Sequence, residues 1–356
     1  MVTQSLAVHE IVLSMLTPTT TVHGSSEELL SRLVAAKFVA TSVRVRGWYD
    51  DPEMLCRIRT DLAREVDRVS DTDFAASLRQ QCPFPGVSDV AAYKNRILQL
   101  EDGALVLTGI RFRGGDLAKP FVDVLAAEGP LDAERLDAIA AQVEARWAQF
   151  RPLCARFLLP DDTDLDWARL GPRSRPDLHL VAGRLDDLAS RPLVRTAARV
   201  TLLPPGNLAF FDRYAKVYAD LFASHPKHRE YNLPQDKEAL AEALQEGLLF
   251  EVLVDGSWAG IVSALPQAPA GLTGFTVQEM LLDQAHRGQG FGPAMQQRLI
   301  EHLRGQDDAV LAGTIHAGNV ASLASARRAG RDVIATYVWV TPTRSGAQGM
   351  PGLDVR

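Results

Sequence analysis

Apolar positions along the first half of the chain predict a succession of helices and strands. Leu29, Leu33 and Val34 recur at helical spacing behind a Ser-Ser-Glu-Glu start signal, whereas Val43 and Val45 alternate as in a strand. The same two periods continue as far as residue 181. They predict strands at 41–48, 104–112, 121–126, 154–159 and 178–181, and helices at 26–38, from 51 onward, at 131–150 and at 166–170.

The second half of the chain repeats a similar order of elements. Asp255 and Gly256 form a two-residue hairpin turn between two apolar runs, which predicts an antiparallel pair of strands. Leu299, Ile300 and Leu303 lie on one face of a predicted helix. The second half is predicted to contain strands at 199–203, 250–254, 258–265, 275–282, 310–315 and 333–340, and helices at 209–223, 235–245, after Pro293 and around Ser322.

A glycine-rich loop joins the strand at 275–282 to the helix that follows. Its sequence over 286–295 is His-Arg-Gly-Gln-Gly-Phe-Gly-Pro-Ala-Met. A helix N-terminus leaves main-chain N–H groups unpaired and carries about half a positive charge, and glycines let the main chain approach an anion closely. The loop therefore predicts a phosphate site. It has neither the Gly-Lys-Ser/Thr of a Walker loop nor the Gly-x-Gly-x-x-Gly pattern of a dinucleotide site.

The spacing of Arg287, Gly290 and Gly292 resembles the pyrophosphate-binding motif of the GNAT superfamily of acyl-CoA N-acyltransferases, Arg/Gln-x-x-Gly-x-Gly/Ala. A second family motif has an asparagine, a small residue three positions on and a glycine eleven positions on. Asn319, Ser322 and Gly330 stand at those offsets. A glycine-rich turn without a ligand is the alternative for the first motif alone. The resemblance implies acetyl-CoA or another acyl-CoA as co-substrate, held by Leu281, Leu282, Arg287, Gly288, Gln289, Gly290, Phe291, Gly292, Pro293, Asn319 and Ser322.

The first half resembles the same fold in its order of elements but lacks the loop. Residues 127–132 hold one glycine and no arginine, and Glu128 and Asp132 would repel a pyrophosphate. An unrelated domain with the same element order is the alternative. We predict an α/β (α+β) fold with two tandem GNAT-like domains, each a mixed, mostly antiparallel sheet flanked by helices: a degenerate copy at 1–190, an acyltransferase domain at 191–341 and a flexible tail at 342–356.

Acyl transfer from a thioester to an amine needs a polarised carbonyl and a deprotonated amine. The resemblance places the carbonyl against a main-chain N–H near residues 280–282, beside a bulge in the strand. Glu279 is the first candidate for the base, because partial desolvation makes a carboxylate more basic; a solvent-facing strand residue is the alternative. His316 is the second candidate, as base or acceptor contact, with a hydrogen-bonded strand end as its alternative. Asp283 and His286 are weaker candidates.

Many family members carry a tyrosine seven residues after the motif asparagine, where this chain has Ala326. The proton for the leaving thiolate is therefore expected from Ser322, Tyr337 or water, or the thiolate leaves unaided. Asn319 is expected to contact the pantetheine arm or the thioester, with a helix cap as the alternative. The loop at 225–231 contains two histidines and a glutamate. We predict a polar specificity loop there rather than a metal site, because nothing nearby completes a ligand set.

Composition adds limits to this interpretation. The 356 residues are 46% apolar and 23% charged, which is typical of a globular protein of about two domains. Three scattered cysteines fit neither a disulfide framework nor a zinc site, and they predict reduced thiols and a cytoplasmic location. The sequence shows no signal-peptide pattern and no apolar run of about 18 residues, so no membrane partner is expected. A net charge of −6 argues against a nucleic-acid partner.

Together these observations predict an enzyme, a GNAT-type N-acetyltransferase. It would transfer an acetyl or other short acyl group from acyl-CoA to the amine of a small molecule by direct attack in a ternary complex, without a metal. Two alternatives remain. A transferase with an aminoacyl-tRNA donor is disfavoured by the retained glycine loop and the lack of a basic stripe. A non-catalytic acyl-CoA-binding or scaffold protein is favoured by Ala326.

Overall fold

The computed structural model describes residues 25–161, 170–230, 232–303, 305 and 308–342. Four helices in this part begin at an aspartate whose side chain accepts a hydrogen bond from the main chain of the first turn. The helices are α1 Ser26–Val39, α2 Val43–Arg46, α3 Asp51–Asp67, α4 Thr72–Gln81, α5 Ala133–Arg146, α6 Leu185–Ala189, α7 Phe211–Ser224, α8 Lys237–Gln245, α9 Phe291–Leu303 and α10 Val320–Ala329. The strands are β1 Arg96–Gln99, β2 Leu105–Phe112, β3 Pro120–Ala127, β4 Ala155–Pro160, β5 Ser174–Arg184, β6 Val200–Leu203, β7 Leu249–Val254, β8 Ser257–Leu265, β9 Gly274–Leu282, β10 Val310–His316 and β11 Asp332–Val340.

All of these strands join one sheet, in the order β1-β2-β3-β4-β11-β5-β10-β9-β8-β7-β6. Neighbouring strands are antiparallel except for β3 with β4 and β9 with β10. The predicted class, a mixed and mostly antiparallel sheet with helices, is confirmed. The two halves of the sheet mirror each other, because β1–β4 follow the same pairing pattern as β7–β10.

The last strand of each half is built into the other half. β5, from the first half of the chain, pairs with β10, and β11, from the second half, pairs with β4. β5 and β11 also pair with each other along the middle of the sheet. Each half therefore completes its backbone hydrogen bonding with a strand of the other, which makes the two halves one continuous hydrogen-bonded unit.

Helices cover both faces of the sheet. On the second half, α9 packs against apolar side chains such as Phe275 and Leu311, whereas α7 and α8 pack on the opposite face against Ile261 and Leu281. On the first half, α1 and α3 share a core with residues from both ends of the chain. That core includes Leu29, Leu33, Met54, Leu62, Leu105, Leu180, Val310 and Ile334.

The predicted strand at 41–48 is wrong. These residues form the short helix α2 between α1 and α3, with Val45 buried and Val43 exposed. Two alternating valines are a weak strand signal, and these residues lie in the connection between α1 and α3, which pack against each other. The other predicted strands are present with shifted ends, and the predicted helix at 131–150 is α5 followed by a 3₁₀ turn. The prediction omitted α4, α6 and β1. The predicted turn at 166–170 lies mostly, and the tail almost wholly, outside the described residues.

Strand exchange predicts that the halves depend on each other for stability. Residues 191–342, expressed alone, are expected to lose cooperative urea unfolding, because β10 and β11 would both lack β5. Co-expression with residues 25–190 should restore a single transition followed by circular dichroism. The control is the full chain cleaved at a protease site inserted after Ser190, which keeps every strand. A cooperative transition of the isolated second half that equals the full chain would contradict the prediction.

Candidate active site

The parallel strands β9 and β10 stop pairing halfway along their length. They pair only where Gly274–Thr276 meet Val310–Ala312, although β9 continues to Leu282 and β10 to His316. A cavity of about 630 Å³ lies between the unpaired segments. The neighbouring pair β8–β9 has a register shift at residue 278, as expected of a bulge beside this opening.

The glycine loop forms one end of the cavity. Asp283 caps the turn that follows β9, and the Nε of Arg287 donates to the carbonyl of Leu282 at 2.8 Å. Gly288 and Gly290 adopt left-handed φ angles of 72° and 81°, which favour glycine. The main chain thereby turns into α9, whose first residues Phe291, Gly292 and Pro293 line the cavity. Burial lowers the pKa of Arg287 from its usual value.

Most of the predicted cofactor residues line this cavity. A side chain at Gly292 would place its Cβ 2.7 Å from the Oγ of Ser325, so the glycine permits close approach of α9 and α10. Gln289 does not line the cavity, because its side chain is exposed and donates to the carbonyl of Ala285. The predicted residues that do line it are Leu281, Leu282, Arg287, Gly288, Gly290, Phe291, Gly292, Pro293, Asn319 and Ser322.

The main-chain N–H groups near residues 280–282, one of which is predicted to hold the carbonyl, point in two directions. The N–H of Asp283 donates to Ala259 of β8 at 2.8 Å. Because N–H groups alternate in direction along a strand, that of Leu281 also points to β8, whereas those of Met280 and Leu282 point into the opening. The N–H of Met280 already donates to the carboxylate of Glu279 at 2.8 Å. Leu282 therefore presents the main-chain donor that is left for a ligand.

Glu279 is a buried carboxylate held by two tyrosines of α7. The Tyr214 hydroxyl donates to its Oε2 at 2.6 Å, and the Tyr218 hydroxyl lies 3.0 and 3.1 Å from its two oxygens. Gln235 in turn donates its main-chain N–H to the Tyr214 hydroxyl. Burial raises the pKa of Glu279, although the hydrogen bonds from the tyrosines oppose this shift. Glu279 and Tyr218 both line the cavity.

The predicted site residues at and after the end of β10, His316, Asn319 and Ser322, all line the cavity but make different contacts. His316 lines the cavity, and its Nδ1 accepts the N–H of Gly318 at 3.0 Å. The neutral ring then carries its proton on Nε2, so this arrangement favours a donor over a base. Asn319 caps α10 through the N–H of Ser322 and also lines the cavity, so both of its predicted roles are compatible. Ser322 is exposed at the cavity.

Ala326, which stands where many family members carry a tyrosine, belongs to the hydrophobic core. Ala326 is fully buried and packs with Val181 and Val333. Tyr337, one of the predicted proton donors, lies on the side of the first half, where its ring contacts the Arg156 guanidinium at 4.5 Å. Tyr337 does not line the cavity, which leaves Ser322 or water among the predicted donors.

Sequence reasoning missed the tyrosines that hold Glu279 and the contribution of the first half. Tyr214 and Tyr218 are four residues apart and therefore share one face of α7, which was the signal available in the sequence. Leu178 of β5 also lines the cavity, and Leu233 lies next to Gly114 of the first half. These residues meet only through strand exchange.

The equivalent position in the first half holds an ion pair and a helix cap. β3 and β4 pair over 122–124 and 155–157, as β9 and β10 do. Glu128 accepts hydrogen bonds from Arg32 at 2.6 Å and from the N–H of Leu105 at 2.7 Å, and Asp132 caps α5. The acidic groups predicted to repel a pyrophosphate thus hold the local structure together.

The loop at 225–231 contributes His228 and Asn232 next to it to the cavity wall. The rings of His225 and His228 lie 5.2 Å apart, and burial lowers the pKa of His228. Among the described residues, no group of three or more possible metal ligands is present.

No helix in the described part of the chain is long and apolar enough to cross a membrane. All three cysteines are free thiols.

The chain is similar to known acetyltransferases in sequence and in fold. Residues 212–330 match the acetyltransferase (GNAT) family model. A GCN5-related N-acetyltransferase from Sphaerobacter thermophilus shares the fold with a TM-score of 0.51 at 14% identity, over 90% of this chain and 95% of that one. An acetyltransferase from the GNAT family of Colwellia psychrerythraea aligns with a TM-score of 0.44 at 12% identity, over 70% and 85%. A tandem GNAT protein from the clavulanic acid biosynthesis pathway gives 0.38 at 14% identity, over 66% and 78%.

No curated protein sequence matches the chain. The family match and the shared fold nevertheless confirm the resemblance to the GNAT superfamily. The second half carries a GNAT acetyltransferase domain, and the protein is a transferase of acyl groups.

The hydrogen bonds from Tyr214 and Tyr218 to Glu279, called the clamp here, predict that mutations at these positions have coupled effects on stability. Tyr214→Phe is expected to lower the free energy of unfolding by about 1.5–3 kcal/mol, because it removes a hydrogen bond to a buried carboxylate. The double-mutant cycle with Glu279→Gln, measured by urea unfolding, should show that the two losses are not additive. Tyr337→Phe is the control, since the described residues offer its hydroxyl no hydrogen bond, and it should change stability by less than about 0.5 kcal/mol. Additive losses would contradict a clamp.

Proposed function

We propose that the protein is an N-acyltransferase that uses acyl-CoA to acylate the amine of a small molecule in a ternary complex. The observation that carries the proposal is the opening between β9 and β10, which leads directly to the glycine loop, Arg287 and the start of α9. A pyrophosphate at the loop would meet the N-terminus of α9 and the Arg287 guanidinium. The pantetheine arm would then lie between the two strands, beside Leu282.

Glu279 is the proposed base. The amine nitrogen forms the new bond to the thioester carbon, the carbon–sulfur bond breaks, and the proton of the amine passes to Glu279 directly or through water. A raised pKa suits this role, because a buried carboxylate accepts a proton more readily than an exposed one. Tyr214 and Tyr218 fix the carboxylate in place.

The main-chain N–H of Leu282 in β9 is proposed to polarise the thioester carbonyl, because that of Met280 already donates to Glu279. Such a donor is effective because it is fixed before the reaction begins. Removal of one such donor typically raises a barrier by about 2.7–4 kcal/mol. Ser322 or water would return a proton to the leaving thiolate, and His316 would contact the acceptor as a donor.

The acceptor is proposed to enter from the face of α7 and the loop at 225–231. Tyr218, His228 and Asn232 line this part of the cavity together with Leu178 from the first half. A volume of about 630 Å³ for donor arm and acceptor together suits a small molecule. We also propose that the chain divides near residue 190, with a first half that lacks a donor site. The cytoplasmic location stays a prediction from the cysteines.

Blocking the loop tests the donor. Gly290→Glu is expected to abolish acetyl-CoA binding measured by calorimetry, because it adds bulk, a negative charge and an unfavourable φ of 81° at the proposed pyrophosphate site. Gly256→Glu is the matched control, since it places the same side chain at a φ of 79° in a hairpin turn outside the cavity. The wild-type chain should bind about one acetyl-CoA. If it binds none, the acyl-CoA donor is refuted and an aminoacyl-tRNA donor becomes the better proposal.

The pH dependence tests the base. Glu279 must be deprotonated to act, so kcat/KM should fall with decreasing pH through a pKa that lies above the ordinary 4.5. Glu279→Gln should lower kcat by about 10²–10⁴-fold and remove this dependence. Glu251→Gln, on β7 beyond the intervening strand β8 and outside the cavity, should leave the profile unchanged. Full activity of Glu279→Gln with an unaltered profile would exclude this base.

A further inference from the structure

A buried arginine lies at the inner end of the cavity, where β9 and β10 begin to separate. Arg331 follows the C-terminal end of α10 and is 2% exposed, yet it lines the cavity. It lies outside the glycine loop and outside the residues that the proposed reaction uses. Its position is set by Gly330, whose left-handed φ of 104° ends α10.

Every hydrogen-bond partner of Arg331 in the described residues is neutral. Nε and Nη2 donate to the Oε1 of Gln296 at 3.0 and 2.7 Å, and Nη1 donates to the carbonyl of Ala312 at 3.3 Å. A guanidinium has five N–H groups, so these bonds leave two without a partner in that part of the chain. No carboxylate of the described residues forms an ion pair with it. Burial lowers the pKa of Arg331 to about 10, which keeps it charged at neutral pH.

The surroundings hold this cation rigidly against both strands. Ala312 is the last residue of β10 that pairs with β9. A Cβ at Gly313 would lie 3.1 Å from Nη1 and 3.5 Å from the Cβ of Val277, so the glycine leaves room for the guanidinium between the strands. Gln296 is itself 1% exposed and donates to the Oγ of Ser325 at 2.9 Å.

A fixed, buried cation that finds no counter-ion among the described residues is costly to the fold, because the protein replaces only part of the water that it loses. A ligand anion would supply the missing charge, and charge-assisted bonds to a guanidinium are strong and directional. The pyrophosphate does not fit this role, since its proposed site is the loop at the other end of the cavity. The part of a donor that reaches inward from the loop past Leu282 is the acyl group.

We propose that Arg331 is the recognition residue of an acyl subsite, and that the preferred donor is an acyl-CoA whose acyl chain ends in a carboxylate, as in malonyl or succinyl groups. This inference rests on the proposed function. The chain would extend between Val277 and Gly313 and place its carboxylate on the free N–H groups of the guanidinium. Glu279 does not compete for the cation, because its hydrogen bonds are to α7 on the opposite face of the sheet.

Calorimetry on the full chain without acceptor tests the subsite. Succinyl-CoA and valeryl-CoA have acyl groups of similar length and differ in the terminal charge, and CoA alone serves as the reference. Succinyl-CoA is expected to bind at least about tenfold tighter than valeryl-CoA, as one charge-assisted interaction would give. Equal binding, or tighter binding of valeryl-CoA, would overturn the proposal.

Two variants test whether Arg331 causes the preference for succinyl-CoA over valeryl-CoA. Arg331→Met removes the cation, and Gln296→Glu leaves it in place but gives it an internal carboxylate partner of nearly the same shape. Both should reduce the preference for succinyl-CoA to about one while binding of CoA itself persists. Gln296→Glu decides the question if Arg331→Met fails to fold. Arg328→Met, at an exposed position of α10 on the same cavity, is the control and should affect the two donors alike. A preference that survives in Gln296→Glu would contradict the assignment.

The outcomes separate this inference from the proposed function. If neither CoA nor any acyl-CoA binds, the acyl-CoA donor itself is refuted and the subsite with it. If CoA and acetyl-CoA bind but the carboxylate gives no advantage, the transferase proposal stands and Arg331 is a structural cation.

Discussion

The separation of β9 and β10 is the constraint on which the site depends. A sheet normally satisfies its main-chain N–H and C=O groups by pairing, and unpaired buried groups are unfavourable. Here pairing stops after three residues on each strand, and both strands continue on either side of a cavity. Among the main-chain N–H groups that face the opening, that of Met280 donates to Glu279, whereas that of Leu282 is left for a ligand that completes the strand.

Two buried charges lie on opposite faces of this opening. Glu279 faces α7, where two tyrosine hydroxyls and a main-chain N–H donate to it. Arg331 faces α9 and α10, where Gln296 accepts two of its hydrogen bonds. Helix α7 thus positions Glu279, whereas α9 positions Arg331 through Gln296, and the sheet separates the two charged groups. The opening therefore has two sides with different electrostatics, and under the proposed function these would orient the acceptor and the donor.

Strand exchange explains how the first half takes part in the cavity of the second. β5 supplies the partner strand of β10, and its Leu178 lines the cavity. The first half keeps the parallel pair β3–β4 but uses Glu128 and Asp132 for an ion pair and a helix cap. Its role in the structure is to complete the sheet of the second half and to form one wall of the cavity.

Local sequence determined much of this protein. Hydrophobic periodicity predicted most strands and helices, and the spacing of Arg287, Gly290 and Gly292 predicted the loop, because a left-handed φ and a helix start depend on a few adjacent residues. Tertiary structure alone decided the exchange of β5 and β11, the helix at 43–46 where a strand was predicted, and the burial of Ala326. It also brought Tyr214 to Glu279 and Gln296 to Arg331, which are 65 and 35 residues apart. Such pairs depend on which faces of distant elements pack together, and no short-range pattern in the chain encodes that choice.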